Sequence, residues 1–307
     1  MLVLTGPTAT GKTDVALALA ERHQVALISM DSAMVYRGMD IGTAKPSVAV
    51  RRRHPHALVD VRDPAEPYSA ADFVAEADRA VRDALDAGRL PVLVGGTMLY
   101  LKAFREGLAE LPPGDPEVRA ELDAEASRRG WPALYRDLER IDPIAAAGLH
   151  PNNHVRVQRA LEVYRVTGEP ISRWWSAHAG RPATERLGVH LVEVALVPER
   201  RRDLDEAIDR RFRAMVEAGL VEEVAALKAR GDLSLALPSM RAVGYRQVWE
   251  YLDGDGDRAA LAERGAAATR SLAKRQLTWL GRWPHLTRLT PAPPAHQARR
   301  VAALGLA

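Results

Sequence analysis

The strongest constraint on the fold is an eight-residue stretch near the N-terminus, GPTATGKT, which runs from Gly6 to Thr13. It matches the P-loop pattern G-x-x-x-x-G-K-[ST] at all four fixed positions. An apolar run at residues 1–5 precedes it, and a segment with helical spacing, residues 14–21, follows it. Because strand, loop and helix in this order are the context of a true P-loop, the sequence predicts a phosphate-binding site here.

The residue types of this loop indicate how an anion would be held. Glycines let backbone amides curve around the anion, and the following helix N-terminus adds partial positive charge. Lys12 adds a full charge, and the Thr13 hydroxyl is the predicted ligand of a Mg²⁺ ion. The motif indicates a diphosphate or oligophosphate without saying which. The predicted diphosphate-binding residues are Gly6, Pro7, Thr8, Ala9, Thr10, Gly11, Lys12 and Thr13.

Length and composition bound the class of protein. The chain has 307 residues, of which 47% are hydrophobic, enough for one large domain or two smaller ones. The absence of cysteine excludes disulfides and cysteine-ligated zinc. With no signal peptide and no apolar run long enough to span a bilayer, we expect a cytoplasmic protein with no membrane partner. The cations are 38 arginines and five lysines, which fits either a phosphate-rich partner or a compositional bias.

Strand and helix signals alternate after the P-loop. Predicted strands lie at residues 25–30, 56–60, 90–94 and 189–197, and a helix is predicted from Ser69 to about Ala87. Such alternation is typical of a parallel sheet, in which ligands bind at the carboxyl ends of the strands. Three of these ends carry polar or glycine residues, and we expect them to converge on one crevice: Thr5–Gly6, Asp31 and Gly95-Gly96-Thr97.

The sequence pattern changes after residues 111–114. A Leu-Pro-Pro-Gly stretch there is followed by helical periodicity to about residue 180. The predicted fold class is therefore α/β: a P-loop parallel-sheet core with helices on both faces and an inserted all-helical subdomain. The predicted boundaries are residues 1–112 and 185–290 for the core and residues 113–184 for the insertion. A Pro-Ala-Pro-Pro stretch predicts a loose C-terminal tail at residues 291–307.

These features leave three classes of function open. An ATP- or GTP-consuming enzyme would hold Mg²⁺ with a carboxylate such as Asp31 or Asp60, although the strand at residues 90–94 ends without one. A protein that acts on nucleic acid would explain the basic stretches around residues 200–213 and 270–275. The third class is a P-loop regulator that binds nucleic acid without chemistry.

A series of longer motifs is more specific than the P-loop. Taken together and in order, they resemble the tRNA dimethylallyltransferase family, also called tRNA isopentenyltransferases, of the bacterial type. The resemblance extends from Leu4 to about Trp283. The motifs are GPTATGKT (6–13), ISMDSAMVYRGMDIGTAKP (28–46), PHALVDVRDP (55–64), YSAADF (68–73), LVGGTMLYLKA (93–103), DPEVRAEL (115–122), HPNN followed by RALEVY (150–164), RAVGYRQVWEYL (241–252) and TRSLAKRQLTWL (269–280).

The resemblance implies an activity and three catalytic residues. The P-loop would hold the diphosphate of dimethylallyl diphosphate, and the five-carbon group would pass to the exocyclic amine of an adenosine beside the anticodon. Asp31 would be the general base, although a Mg²⁺ ligand or a helix cap remains an alternative for it. Thr97 would donate to the leaving oxygen. Arg211 would reach the diphosphate, with its neighbours Arg210 and Arg213 as alternatives.

The resemblance also implies a tRNA anticodon stem-loop as the partner of a monomeric enzyme. A related family that acts on free adenine nucleotides is the alternative, and the helical insertion and basic C-terminal helices argue for tRNA. Many family members carry glutamine at the position of Met34, which puts a polar contact there in doubt. The residues expected against tRNA are Asp31, Ser32, Ala33, Met34, Thr97, Arg119, Val155, Arg156, Val157, Gln158, Arg159, Arg241, Ala242, Val243, Gly244, Tyr245, Arg246, Arg270, Lys274 and Arg275.

Overall fold

The computed structural model of the chain describes residues 1–177 and 179–305. The chain forms two compact units. The first contains residues 1–105 and the described residues from 183 onward, and the second contains residues 106–182.

A six-stranded parallel sheet is the centre of the first unit. Five of its strands coincide with predicted ones. The sixth, a three-residue edge strand with one aliphatic residue, carries too little pattern to be recognised. The strands lie in the order β3-β2-β4-β1-β5-β6, with bounds β1 (Leu2–Thr5), β2 (Val25–Ser29), β3 (His56–Ala57), β4 (Leu90–Val94), β5 (Val192–Leu196) and β6 (Thr287–Leu289).

Helices connect these strands and cover both faces of the sheet, as the fold-class prediction required. Those that precede the second unit are α1 (Lys12–Ala20), α2 (Val48–Arg53), α3 (Ala70–Asp86) and α4 (Met98–Glu106). The second unit contains α5 (Pro116–Arg129), α6 (Trp131–Ile141), α7 (Pro143–Ala147), α8 (His154–Thr167) and α9 (Ile171–Ala177). The chain then returns to the first unit with α10 (Ala183–Leu187), α11 (Arg201–Glu217), α12 (Leu220–Lys228), α13 (Tyr245–Leu252), α14 (Arg258–Gly281) and α15 (Pro294–Gly305).

The alternation of side chains along β1 creates two separate cores. Leu2 and Leu4 point into an apolar cluster with residues of α1 and α15, and Val3 points to the opposite face. That second cluster takes aromatic residues from α3 and α4, such as Phe73 and Phe104. Burial on both faces explains why the strands read as continuous apolar runs.

The helical unit begins earlier than the predicted boundary at residue 113. Leu111 packs with the unit's own core, which is built around buried Leu122, Leu134 and Leu138. The Pro-Pro-Gly signal therefore lies inside the unit, because an irregular entry segment contributes an apolar side chain to the helical core.

The C-terminal segment is not the loose tail that its prolines suggested. Residues 294–305 form α15, in which Gln297, Ala298 and Val301 are buried, and Ala298 and Val301 pack in the α1 cluster. Pro294 is the first helical residue, a position where proline is well tolerated because no backbone hydrogen bond is lost. The sequence signal was therefore that of a helix start.

Gln297 provides a test of this packing. It is fully buried, and neither its Oε1 nor its Nε2 has a hydrogen-bond partner among the described residues. An unsatisfied buried amide costs about 1–3 kcal/mol, so Gln297→Met should raise the free energy of unfolding by roughly this amount. Urea denaturation of the two proteins measures the change. A less stable variant would mean that the amide has a partner, such as a buried water.

Within the described residues, no helix is both long and apolar enough to cross a bilayer.

Candidate active site

The carboxyl ends of three adjacent strands, β2, β4 and β1, meet at one edge of the sheet. The amide of Gly95 donates to the carbonyl of Leu4 at 3.1 Å, and the amide of Met30 donates to the carbonyl of Val94 at 2.7 Å. Thr5 Oγ1 donates to the carbonyl of Gly95 at 3.0 Å. The predicted convergence is confirmed, and a cavity of about 1030 Å³ opens there, at the upper end of the range for ligand pockets.

The P-loop forms one wall of this cavity. Residues 8–14 line it, whereas Gly6 and Pro7 are buried and do not. Gly6 has a φ of 140°, and a Cβ atom there would lie 2.5 Å from the carbonyl oxygen of Leu196. Any other residue would therefore push the loop away from β5, which explains the first fixed glycine of the motif.

Two cations face the cavity without a neutralising partner. Lys12 Nζ donates to the carbonyl of Pro7 at 2.6 Å, and Arg211 lines the wall from α11. Within the part of the chain that the structure describes, neither forms an ion pair with a carboxylate. Burial lowers the pKa of Arg211 and lowers that of Lys12 to about 7, which the nearby Arg211 charge also favours. These two cations are suited to an anionic ligand, because the anion would supply the negative charge that no carboxylate of the described chain provides in an ion pair.

Proton uptake tests this electrostatic arrangement. An anion beside Lys12 raises its pKa again, so binding of inorganic diphosphate above pH 7 should take up a proton. At pH 8 the wild type should take up close to one proton more per diphosphate bound than Lys12→Arg does. The arginine variant has no such uptake at this position, because its guanidinium is always charged. Calorimetric titration in buffers of different ionisation enthalpy gives this number. Equal uptake by the two proteins would contradict a largely neutral Lys12.

The structure distinguishes among the three candidate arginines on α11. Arg211 is half-buried and lines the cavity, whereas Arg210 and Arg213 are exposed and do not line it. The helical spacing explains the difference, because residues at 210 and 213 lie about 100° and 200° around the helix axis from residue 211.

Asp31 and Thr97 occupy neighbouring loops at the centre of the cavity wall. Asp31 Oδ1 accepts hydrogen bonds from the amides of Ala33 at 2.8 Å and Met34 at 3.3 Å. Thr97 Oγ1 accepts from the amide of Ser32 at 3.0 Å. Since Oδ1 alone caps this turn, the second carboxylate oxygen of Asp31 remains available to a ligand. The capping role and a chemical role are thus compatible.

The donor set at the P-loop suits Mg²⁺ held jointly with a phosphorylated ligand. Thr13 lines the cavity, and so does Asp31, one of the two carboxylates considered for Mg²⁺. Mg²⁺ usually takes one or two protein oxygens and completes its octahedron with phosphate oxygens and water. The described residues contain no group of three acidic or histidine side chains arranged for a metal, so phosphate oxygens would supply the remaining ligands.

Asp60, the second carboxylate considered for Mg²⁺, serves another purpose. Its carboxylate bonds Lys45 Nζ at 2.6 Å and also pairs with Arg51. Partial burial alone would raise the pKa of Asp60, but these two cations outweigh burial and lower it. Asp60 does not line the cavity, and its ion pairs hold the loop that includes Lys45.

Glu223 on α12 was not predicted, yet it organises a neighbouring wall of the cavity. Its carboxylate accepts hydrogen bonds from the amides of Asp40 (2.9 Å), Ile41 (2.8 Å) and Gly42 (3.2 Å), and from Tyr245 Oη at 2.5 Å. The segment at residues 42–46, which begins with Gly42, contributes four residues to the cavity lining. A carboxylate in a helix carries no sequence signal of this function, because the three amides that it bonds lie some 180 residues away.

The predicted RNA contacts at residues 241–246 divide into three groups. Arg241, Ala242 and Val243 line the cavity. Gly244 and Tyr245 are buried, and the hydroxyl of Tyr245 is bonded to Glu223, so the side chain of Tyr245 packs inside the protein and an RNA contact of this residue stays a prediction. Arg246 is exposed and pairs with Glu250 on its own helix.

The predicted contacts in the helical unit also differ in exposure. Val155 and Arg156 are exposed at the start of α8, whereas Val157 is fully buried in the helical core and cannot contact RNA through its side chain. Arg119 and Arg159 both bond the buried carboxylate of Glu162 at 2.7 Å. Gln158 Nε2 donates to Asp123 Oδ1 at 2.8 Å.

On α14 the three predicted cations have different surroundings. Arg270 is held by Asp209 and Glu263, so its charge is largely compensated. Lys274 and Arg275 are exposed, and Arg275 also lines the cavity.

The fold and site define a class: an α/β P-loop enzyme with a cationic, carboxylate-bearing cavity at the carboxyl edge of its sheet. The IPP transferase family model matches residues 34–283, and the isopentenyl transferase model matches residues 1–58. The chain belongs to the IPP transferase family.

Relatives agree with this assignment. The chain is 52% identical over 298 residues to tRNA dimethylallyltransferase 2 of Hahella chejuensis, covering 94% of this chain and 90% of the relative. It is 54% identical over 283 residues to tRNA dimethylallyltransferase of Ralstonia nicotianae, covering 92% and 88%. The crystal structure of the tRNA isopentenylpyrophosphate transferase from Bacillus halodurans is 37% identical with a TM-score of 0.70, covering 98% and 94%. A eukaryotic dimethylallyltransferase acting on tRNA is 25% identical with a TM-score of 0.75, covering 91% and 69%.

Proposed function

We propose that this enzyme transfers a dimethylallyl group from dimethylallyl diphosphate to N6 of adenosine 37, the nucleotide 3′ of the anticodon in tRNA, and releases diphosphate. The observation that carries the proposal is that residues 8–13 of the P-loop line the same cavity as Asp31, Thr97 and Arg211.

The departure of diphosphate is the step that most needs electrostatic help. Negative charge grows on the diphosphate as its bond to the allylic carbon breaks, and preorganised donors aimed at that charge supply most of the acceleration. P-loop amides, Lys12 and Arg211 provide these donors. The Thr97 hydroxyl donates a hydrogen bond to the bridging oxygen in place of its long 3.4 Å bond to Ser32 Oγ, while Thr97 Oγ1 continues to accept from the Ser32 amide.

Mg²⁺ fits this site, with Thr13 as its ligand from the protein. When bound, the ion neutralises part of the diphosphate charge and so makes diphosphate a better leaving group.

The nucleophile is an aromatic amine whose lone pair is delocalised into adenine. Asp31 accepts a hydrogen bond from this amine and takes its proton as the new carbon–nitrogen bond forms. The turn at Ala33 and Met34 fixes one carboxylate oxygen, and the other is left for the amine of a substrate in the cavity that Asp31 lines.

The acceptor base must leave the anticodon loop to enter the cavity. Extrusion costs a few kcal/mol, and less from a single-stranded loop than from a duplex. Three cations are available to neutralise RNA phosphates. Arg241 and Arg275 line the cavity, and Lys274 is exposed beside Arg275 on α14. Such contacts position the RNA, and base contacts in the cavity specify it.

The choice of acceptor tests this proposal. Purified enzyme with radiolabelled dimethylallyl diphosphate and Mg²⁺ is given either unmodified tRNA with adenosine at position 37 or free AMP. Label should appear on tRNA alone, and guanosine at position 37 should abolish it. Label on AMP alone would place the enzyme with those that act on free adenine nucleotides.

Salt dependence tests the phosphate contact of Lys274. Removal of one phosphate-neutralising charge lowers the slope of log K against log[salt] by about one unit. Lys274→Ala should therefore bind tRNA more weakly with a shallower slope, whereas Arg300→Ala, an exposed change on α15, should leave both unchanged. An unaltered slope in Lys274→Ala would exclude a phosphate contact there.

A further inference from the structure

A buried glutamine on α14 joins two loops of the cavity that the chain order separates widely. Gln276 is 8% exposed. Its Oε1 accepts from the amide of Thr8 in the P-loop at 2.9 Å. Its Nε2 donates to the carbonyl of Gly96, in the loop after β4, at 2.7 Å. One side-chain amide therefore bonds both the diphosphate-binding loop and the residue that precedes Thr97.

Gln276, Gly96 and the P-loop are closely packed. A Cβ atom on Gly96 would lie 2.6 Å from Gln276 Nε2 and 3.2 Å from the carbonyl oxygen of Gly6. The glycine is thus required so that the loop, the P-loop and the amide can approach each other. Gln276 therefore adds a side-chain link between the P-loop and the loop of Thr97 to the backbone bonds that join Gly95 to β1.

Both partners of Gln276 belong to the site rather than to the general core. Thr8 and Gly96 line the cavity, and so does Gln276 itself. Because a buried side-chain amide needs hydrogen-bond partners, the position of those partners decides what the amide holds together, and for Gln276 both lie in loops of the site.

We propose that Gln276 is a positioning residue that fixes the Thr97 hydroxyl relative to the diphosphate held by the P-loop. This inference rests on the proposed function, in which Thr97 donates to the oxygen that leaves. A hydroxyl displaced by about 1 Å loses most of its effect, at a cost of about 10²-fold in rate. Gln276 touches no reacting atom and acts only through the two loops.

Two variants of Gln276 and one control measure its effect. Gln276→Met has similar length and removes both hydrogen bonds, and Gln276→Glu keeps an acceptor for the Thr8 amide but loses the donor to Gly96. We expect each to lower kcat for tRNA prenylation by about 10²-fold. The control Gln297→Met makes the same exchange at a buried glutamine outside the cavity and should leave kcat unchanged.

A double-mutant cycle separates positioning from a general loss of structure. Thr97→Ala alone should lower kcat by about 10²–10³-fold, because the donor is gone. If Gln276 acts through Thr97, adding Gln276→Met to Thr97→Ala should cost less than about threefold more. The inference would be overturned if the double variant lost kcat by the product of the two single losses. A wild-type kcat in Gln276→Met would also overturn it.

The cycle is measured on variants that melt cooperatively near the wild-type temperature. If Gln276→Met does not fold, Gln276→Glu replaces it and the same two outcomes decide. If the wild-type enzyme prenylates tRNA and the losses in kcat from the Gln276 and Thr97 variants multiply, only the positioning of Thr97 by Gln276 is refuted. Wild-type enzyme that transfers no label to tRNA would instead refute the proposed function.

Discussion

Replacing Asp31 by asparagine should lower kcat for tRNA prenylation by about 10²–10⁴-fold, the range of general base catalysis. Asparagine keeps an oxygen for the amides of Ala33 and Met34, so the turn should stay folded. What it loses is the ability to take a proton from the adenine amine. Single-turnover transfer of radiolabel to tRNA measures the chemical step directly.

The affinity for tRNA separates this role from a structural one. Asp31→Asn should bind tRNA nearly as tightly as the wild type, because the backbone around residues 32–34 is retained. Asp31→Ala, which also loses the cap, serves as the comparison and should be less stable. An Asp31→Asn enzyme with normal single-turnover rates would contradict the assignment of the general base.

Replacing Arg211 by alanine should lower kcat/KM for dimethylallyl diphosphate by about 10²–10³-fold, as expected when one preorganised donor to a developing charge is lost. The guanidinium is half-buried in the cavity wall, where its attraction for an anion is weakly screened. Steady-state kinetics at saturating tRNA give this ratio.

Arg210 on the same helix is the matched control for Arg211. It is exposed and does not line the cavity, so Arg210→Ala should retain the wild-type kcat/KM. Similar losses in both variants would indicate a general effect of positive charge on α11 rather than a contact between Arg211 and the diphosphate.

Short sequence patterns were enough to predict the parts of the fold that depend on neighbouring residues alone. The P-loop, five strands and the meeting of their carboxyl ends follow from short motifs and from the geometry of parallel sheets. The resemblance to a family then placed Asp31, Thr97 and Arg211, and all three line the cavity. Tyr245 and Val157, predicted against the tRNA, have buried side chains, because a motif does not distinguish the buried positions of a helix from its exposed ones.

The connections between distant segments could not be predicted from the sequence. Gln276 and Glu223 act through backbone groups, and a backbone amide or carbonyl has no sequence identity to match. The C-terminal helix was missed for a different reason: Pro294 stands at its first position and resembles the end of structure rather than its start.

The most direct test of the account is which phosphate compound the P-loop uses. The enzyme is incubated with Mg²⁺, unmodified tRNA, dimethylallyl diphosphate carrying label in its allylic carbon, and ATP labelled at its γ-phosphate. We expect carbon label on tRNA in equal amount to the diphosphate released, with no ATP hydrolysis. ATP hydrolysis without carbon label on tRNA would mean that the loop holds a nucleotide, and would contradict the account.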